Sequence, residues 1–312
     1  MDKVNLIHAD AIEGMRSLKD NSVDLVVTDP PYNLSKNYGE TQDDLEFNEY
    51  LTFTENWLKE VDRVLKPHGT IYICMGMRFI SYIYMILEQK MKYNFVSWIT
   101  WHYTQGIGKT KGYSPRHDDI LMFSKNRNFV FNIDSIRIPQ KFYRSINNMR
   151  GSNPGNVWKF SHVHYCSANR QQHPTQKPEA LFERMILASS NERDTVLDPF
   201  VGSGTSARVC QQLDRNIIGV DINKNYIDMT KERLQKPFYG FDSIDERLIR
   251  IPNDLNNIRI REEYVKNHIN WFLKNNKNQI DNFMSKYALK YSVKNKTKEK
   301  QDMDFSLFDF RS

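Results

Sequence analysis

The sequence predicts an α/β fold built on a parallel sheet flanked by helices, and three observations predict it. Short apolar runs alternate with longer amphipathic stretches over the first hundred or so residues. The same alternation resumes after about residue 170. Two of the apolar runs also end in the sort of segment that sits at a strand end, Asp29-Pro30-Pro31-Tyr32 and Asp198-Pro199-Phe200-Val201-Gly202-Ser203-Gly204-Thr205.

The elements follow in order. Strands are predicted at Val4 to His8, Val23 to Thr28, Thr70 to Cys74, Phe95 to Tyr103 and Asp119 to Ser124. Between the second and third, Asn48 to Leu65 carries apolar residues at helical spacing, and Lys66-Pro67-His68-Gly69 supplies a stop. From about Lys125 to Arg170 the periodicity fades. Basic, aromatic and Asn residues dominate there, among them Phe142, Tyr143, Arg144, Trp158, Lys159, His162 and His164, as in an irregular insertion or a DNA-reading segment. Regular pattern returns with a helix over Pro178 to Ser190, a strand over Thr195 to Pro199, a helix opening near Gly204, a strand over Ile217 to Asp221 and a helix over Lys224 to Leu234. Residues 1–235 therefore read as one catalytic domain, divided into halves 1–124 and 171–235 by the insertion at about 125–170. Residues 236–312 read as a polar, Asn- and Lys-rich appendage with amphipathic stretches at Ile258 to Phe272 and Ile280 to Tyr291, then a basic run at Lys294 to Lys300.

Composition bounds the partners. The 312 residues carry a formal net charge of +6, which suits phosphate neutralisation on a nucleic acid but would equally suit an acidic surface. Three scattered cysteines, Cys74, Cys166 and Cys210, form neither a disulfide framework nor a Cys-x-x-Cys site, and the N-terminal apolar run is too short for a signal peptide or a span. A reducing, cytoplasmic compartment is expected.

The chemistry is written at the strand ends. In Asp29-Pro30-Pro31-Tyr32, two prolines fix φ and lack N–H groups, which stiffens the backbone and leaves its carbonyls free. An exocyclic amine is a poor nucleophile because its lone pair is delocalised into the ring. Asp29 and the Pro30 carbonyl can accept both amine hydrogens and aim the lone pair at an electrophilic methyl, while Tyr32 offers a face for a flipped base. An Asp-Pro turn ending an ordinary strand is the bland alternative. In the second motif, glycines let backbone approach a cofactor, and Asp221 at the end of the next strand can accept ribose hydroxyls. Taken alone, that motif also fits a nicotinamide-dependent oxidoreductase.

With both motifs in this order, and with His173-Pro174-Thr175-Gln176-Lys177-Pro178 before the second, the chain resembles a β-class DNA amino-methyltransferase over roughly residues 3 to 235. The resemblance implies a Rossmann-like, doubly wound, mostly parallel sheet of seven strands with one antiparallel hairpin, a target-recognition insertion and a C-terminal helical appendage. It implies transfer of a methyl group from S-adenosylmethionine to the N6 of adenine in double-stranded DNA, with the N4 of cytosine as the alternative. By the same resemblance Asp29, Pro30, Pro31 and Tyr32 are catalytic. Asp198, Phe200, Gly202, Ser203, Gly204 and Thr205 shape the cofactor loop, Asp221 binds ribose, Asp10 and Ala11 lie near adenine, and Thr175 and Lys177 lie near the methionine carboxylate. Ser114-Pro115-Arg116-His117-Asp118-Asp119 resembles a further block near the target-base pocket. A homodimer is expected because many relatives form one.

Other readings stay open or are declined. Asn33 to Phe47 reads as a surface loop or as one that closes over substrate. A catalytically silent DNA-binding module is a further alternative. Gly106 to Thr110 ends like a phosphate loop, but Tyr103 stands where the first glycine is needed. His162, His164 and His173 lack partner ligands at metal spacing, so no metal is expected. Asp304 to Phe308 resembles the short peptide that binds a replication sliding clamp, although Asp304 replaces the usual Gln; docking on its own domain is the alternative.

Overall fold

The computed structural model describes residues 3–34, 43–104, 108–138, 152–163 and 170–236. The chain divides into two compact units, one of residues 1–136 and 154–245, the other of residues 137–153 and 246–312. Among the described residues of the second unit, Ile138 and Ser152 form an antiparallel bridge. The expected appendage, its basic run, Asp304 to Phe308, Cys166, His164 and positions 106–107 lie outside the described residues.

In the first unit eight strands form one sheet: β1 (Val4–His8), β2 (Val23–Thr28), β3 (Leu65–Met75), β4 (Asn94–His102), β5 (His117–Ser124), β6 (Val157–Lys159), β7 (Thr195–Asp198) and β8 (Asn216–Asp221), in the order β1-β8-β7-β2-β3-β5-β4-β6. β5 runs antiparallel to both β3 and β4, and the other pairings are parallel. Alternate residues of the inner strands face opposite sides. Val26, Ile71, Ile73, Leu121 and Phe123 belong to one buried cluster, whereas Leu25, Val27, Tyr72, Cys74, Ile120 and Met122 belong to the other. All six residues of β2 are buried, which places that strand in the middle of the sheet with both faces covered.

Helices α1 (Ala11–Arg16), α2 (Phe47–Val64), α3 (Ile80–Met85), α4 (Ile133–Ile136), α5 (Glu179–Ser189), α6 (Thr205–Gln212) and α7 (Lys224–Gln235) join the strands. α2 buries Tyr50, Thr54, Trp57, Leu58, Val61 and Val64, a stripe at helical spacing that lies on the first cluster. α5, by contrast, is buried on nearly every side, Glu179 and Glu183 included. A π-helical turn over Ile86–Lys90 extends α3.

Three expectations are revised. Among the described residues the sheet has eight strands rather than seven, because three residues of the insertion, Val157–Lys159, pair in parallel with Thr100–His102 at the edge. Lys66 to Gly69 follow the end of α2 at Val64 as expected of a stop, but they lie within a strand rather than in a turn. The chain enters β3 at Leu65 and these residues bulge opposite Asp24, where the register moves from Val23↔Leu65 to Leu25↔Thr70. Asp24 is 7% exposed and explains the bulge: its carboxylate accepts from Lys66 Nζ at 2.7 Å, His68 Nε2 at 3.3 Å and Thr195 N at 2.9 Å. The third revision is α1, which was not anticipated. Asp10 caps it by accepting from the amides of Ile12 and Glu13. Among the described residues no helix is long and apolar enough to cross a membrane.

Candidate active site

β2 and β7 are parallel neighbours, with Leu25 opposite Val196 and Val26 opposite Leu197. The two motifs, about 170 positions apart in sequence, therefore leave the sheet side by side at its carboxyl rim. A buried carboxylate joins them: Asp198 Oδ1 accepts from Thr28 Oγ1 at 3.1 Å and from the Phe200 amide at 3.2 Å, while Oδ2 accepts from Ser206 Oγ at 2.6 Å. Burial pushes the Asp198 carboxyl up from 3.8 to about 7, against the opposing pull of these three donors. It thus ties the end of β2 to the turn after β7 and to the first turn of α6.

The Pro-Pro turn is held from several sides. Tyr50 on α2 donates its hydroxyl to the Pro31 carbonyl at 2.7 Å. Asn33 takes the left-handed conformation, φ 55°, and its amide and that of Leu34 both donate to the Asp43 carboxylate, at 2.6 and 3.0 Å. Arg78 donates to the Asn33 carbonyl at 3.3 Å. Tyr32 packs against the backbone after β3, where a Cβ on Gly76 would stand 3.2 Å from one edge of its ring. Burial first, then the charges of Asp29 and Asp118, keep the Tyr32 phenol far above its ordinary value, so it remains neutral. Asp29 is the strongest charge acting on the Tyr32 hydroxyl. Asp29 Oδ1 and Tyr32 OH are both buried atoms with no hydrogen-bond partner among the described residues.

Beyond the turn lies a cavity of about 270 Å³. Of the expected cofactor residues, Asp10, Ala11, Thr175, Lys177, Asp198, Phe200, Gly202, Ser203, Thr205 and Asp221 line it, and Asp29 and Pro31 line it from the catalytic side. Gly204 does not. It caps α6 in the left-handed conformation, and a Cβ there would meet Thr230 of α7 at 2.6 Å, so its glycine serves helix packing. Pro30 and Tyr32 are likewise absent from the lining. At Gly202, φ 47°, a side chain would reach within 2.9 Å of His173 Nε2 and close the loop against it. Asp221 holds the same turn, accepting from the Gly202 amide at 2.9 Å and the Asn223 amide at 2.8 Å; burial raises its pKa.

Two wall residues, Phe53 and Tyr226, carried no sequence signal. Phe200 packs edge-on against Trp57 at 5.6 Å and Phe53 at 6.1 Å, so α2 supplies an aromatic wall. His173 lies against Tyr226, with ring centroids 4.6 Å apart. Among the described residues no cluster of His, Cys, Asp and Glu could hold a metal.

Comparison with known proteins gives a consistent picture. The DNA methylase family model matches residues 23–232. The chain is 64% identical to the type II methyltransferase M.HpaI of Haemophilus parainfluenzae over 300 residues, covering 96% of each protein. It is 36% identical to the DNA adenine methyltransferase YhdJ of Escherichia coli (strain K12), over 73% of this chain and 82% of that one. Among solved structures, the M1.HpyAVI-SAM complex superposes with a TM-score of 0.55 at 27% identity, over 75% of this chain and all of that one.

Proposed function

The chain belongs to the DNA methylase family, and from that membership we infer that it is an adenine-specific DNA methyltransferase that moves a methyl group from S-adenosylmethionine to the exocyclic N6 amine. One observation carries the reading. Asp29 and the Gly202 turn stand at the ends of adjacent parallel strands and line one cavity.

The cavity residues fit the cofactor. Aromatic and aliphatic walls from Phe53, Phe200 and Ile222 suit an adenosine, and the missing Cβ of Gly202 leaves room for its approach. Asp221 has lone pairs left for ribose hydroxyls, Asp10 and Ala11 flank the adenine, and Thr175 is a donor for the methionine carboxylate. Bound S-adenosylmethionine supplies a methyl group activated by its sulfonium. The protein's own part is to hold the amine. Asp29 and the Pro30 carbonyl accept its two hydrogens, and the ring of Tyr32 stacks on the flipped base. Asp at the first motif position and the likeness to an adenine methyltransferase support adenine over cytosine.

Asp29→Ala tests this directly. Methyl transfer is expected to fall by roughly a hundredfold to a thousandfold, while the dissociation constant for S-adenosylmethionine stays within about threefold. Nucleosides digested from the treated DNA are expected to contain N6-methyladenine; N4-methylcytosine in its place contradicts the acceptor. Two finer readings, a homodimer and a sliding-clamp contact through Asp304 to Phe308, rest on resemblance and are tested by sedimentation of the full chain alone and with a clamp.

A further inference from the structure

Lys177 lies in a position that its expected contact with the cofactor carboxylate does not explain. Its ammonium is 2.5 Å from Asp29 Oδ2, a partner 148 residues away, and the two side chains are 8% and 16% exposed. The same ammonium stands 5.0 Å from the centre of the Tyr32 ring. Desolvation would discharge so buried a lysine, but Asp29 and then Asp118 outweigh it and hold its pKa above the ordinary value. The ammonium therefore remains a cation among the acidic groups that face it.

The pairing is one-sided. Oδ2 of Asp29 is occupied by Lys177, whereas Oδ1 is buried with no hydrogen-bond partner among the described residues. A buried carboxylate oxygen without a donor is costly, and such orphans concentrate where a ligand will supply the missing partner. We propose that Lys177 is a positioning residue for methyl transfer: by clamping Oδ2 it fixes the rotation of the Asp29 carboxylate and presents Oδ1 as the acceptor for one amine hydrogen of the target base.

This deepens the methyltransferase reading and rests on it. It also gives the block around His173 to Pro178 a catalytic purpose, since Lys177 is the last residue before Pro178 caps α5. With the ammonium already on Oδ2, Oδ1 is the oxygen left without a donor and so the better acceptor for the amine hydrogen. The cation next to the Tyr32 face further fixes the plane on which the base stacks.

The test compares wild type with Lys177→Met and Lys177→Arg, alone and combined with Asp29→Ala, using single-turnover methylation at saturating cofactor and calorimetric titration of S-adenosylmethionine. Lys177→Met is expected to lower the single-turnover rate by about a hundredfold with cofactor affinity within about threefold, and Lys177→Arg to recover roughly tenfold of that loss. In the Asp29→Ala background the methionine change is expected to cost less than about threefold, because the partner it orients is gone. The opposite pattern overturns the proposal: affinity weakened by about thirtyfold or more with the saturated rate unchanged makes Lys177 a ligand of the methionine carboxylate. Fully additive losses also overturn it. Should Lys177→Met unfold, as loss of one member of a buried pair can cause, the arginine variant decides alone: tighter or equal cofactor binding with a rate reduced about tenfold supports the clamp, and an unchanged rate contradicts it. Wild type that methylates no DNA would instead remove the functional reading itself.

Discussion

Asp198 shows how one side chain can carry two kinds of consequence. Its three donors come from β2, the cofactor turn and α6, so ionising it organises the rim, yet burial opposes that ionisation and raises its pKa to about 7. The folded carboxyl keeps its proton up to about pH 7, whereas the unfolded one releases it near 3.8. The folded state thus binds more protons between those values, and stability must fall as pH rises through that window and level off above it. The full loss is about 4 kcal/mol at most. Urea unfolding of wild type and Asp198→Asn between pH 4 and 8 checks this: the asparagine variant is expected to lack the decline, and parallel curves would mean the three donors outweigh burial. At the same scale, Gly202 and Asp221 were legible from residue type, whereas Asp10 and Phe200 were singled out only by the family resemblance; all four line one cavity. Lys177 bonded to Asp29 was not legible, because a pairing across 148 residues leaves no trace in local spacing.

At the scale of elements, the Pro-Pro turn depends on a helix that contributes no residue to either motif. Tyr50 sits in the buried stripe of α2 and packs at a tilt against Phe79, ring centroids 4.3 Å apart, so its helical spacing marks it as core. Its hydroxyl is what differs, holding the Pro31 carbonyl at 2.7 Å and so fixing which carbonyls of the turn remain for substrate. Tyr50→Phe keeps the ring and removes the anchor. It is expected to lower the single-turnover rate about tenfold through a small misplacement of the turn, with the melting temperature within a few degrees of wild type. A larger stability loss with an unchanged rate would reduce Tyr50 to packing. Strand positions were legible here because the inner strands are buried on both faces and read as continuous apolar runs, as β2 does. β6 was not, since three residues with only Trp158 buried give no period to detect. The start of α1 could have been found: Asp10-Ala11-Ile12-Glu13 has the spacing of an N-terminal cap, and Asp10 does cap the helix.

Across the molecule, sheet order decides function. The family order places the catalytic motif first and the cofactor motif last, and a chain read linearly separates them by the whole insertion. Only the pairing of β7 against β2 brings both to one rim, and strand order is a long-range property that local pattern does not encode. The resemblance to the family supplied what spacing could not. The most direct measurement is a crystal structure of the protein with S-adenosylmethionine. The adenosine is expected between Asp10 and Asp221, with the methyl carbon roughly 5 Å from Asp29 Oδ1, the separation set by a hydrogen bond and a near-attack contact that leave one amine nitrogen at about the tetrahedral angle. Cofactor bound outside this cavity, or lying in it with the methyl turned away from the Pro-Pro turn, would contradict the account.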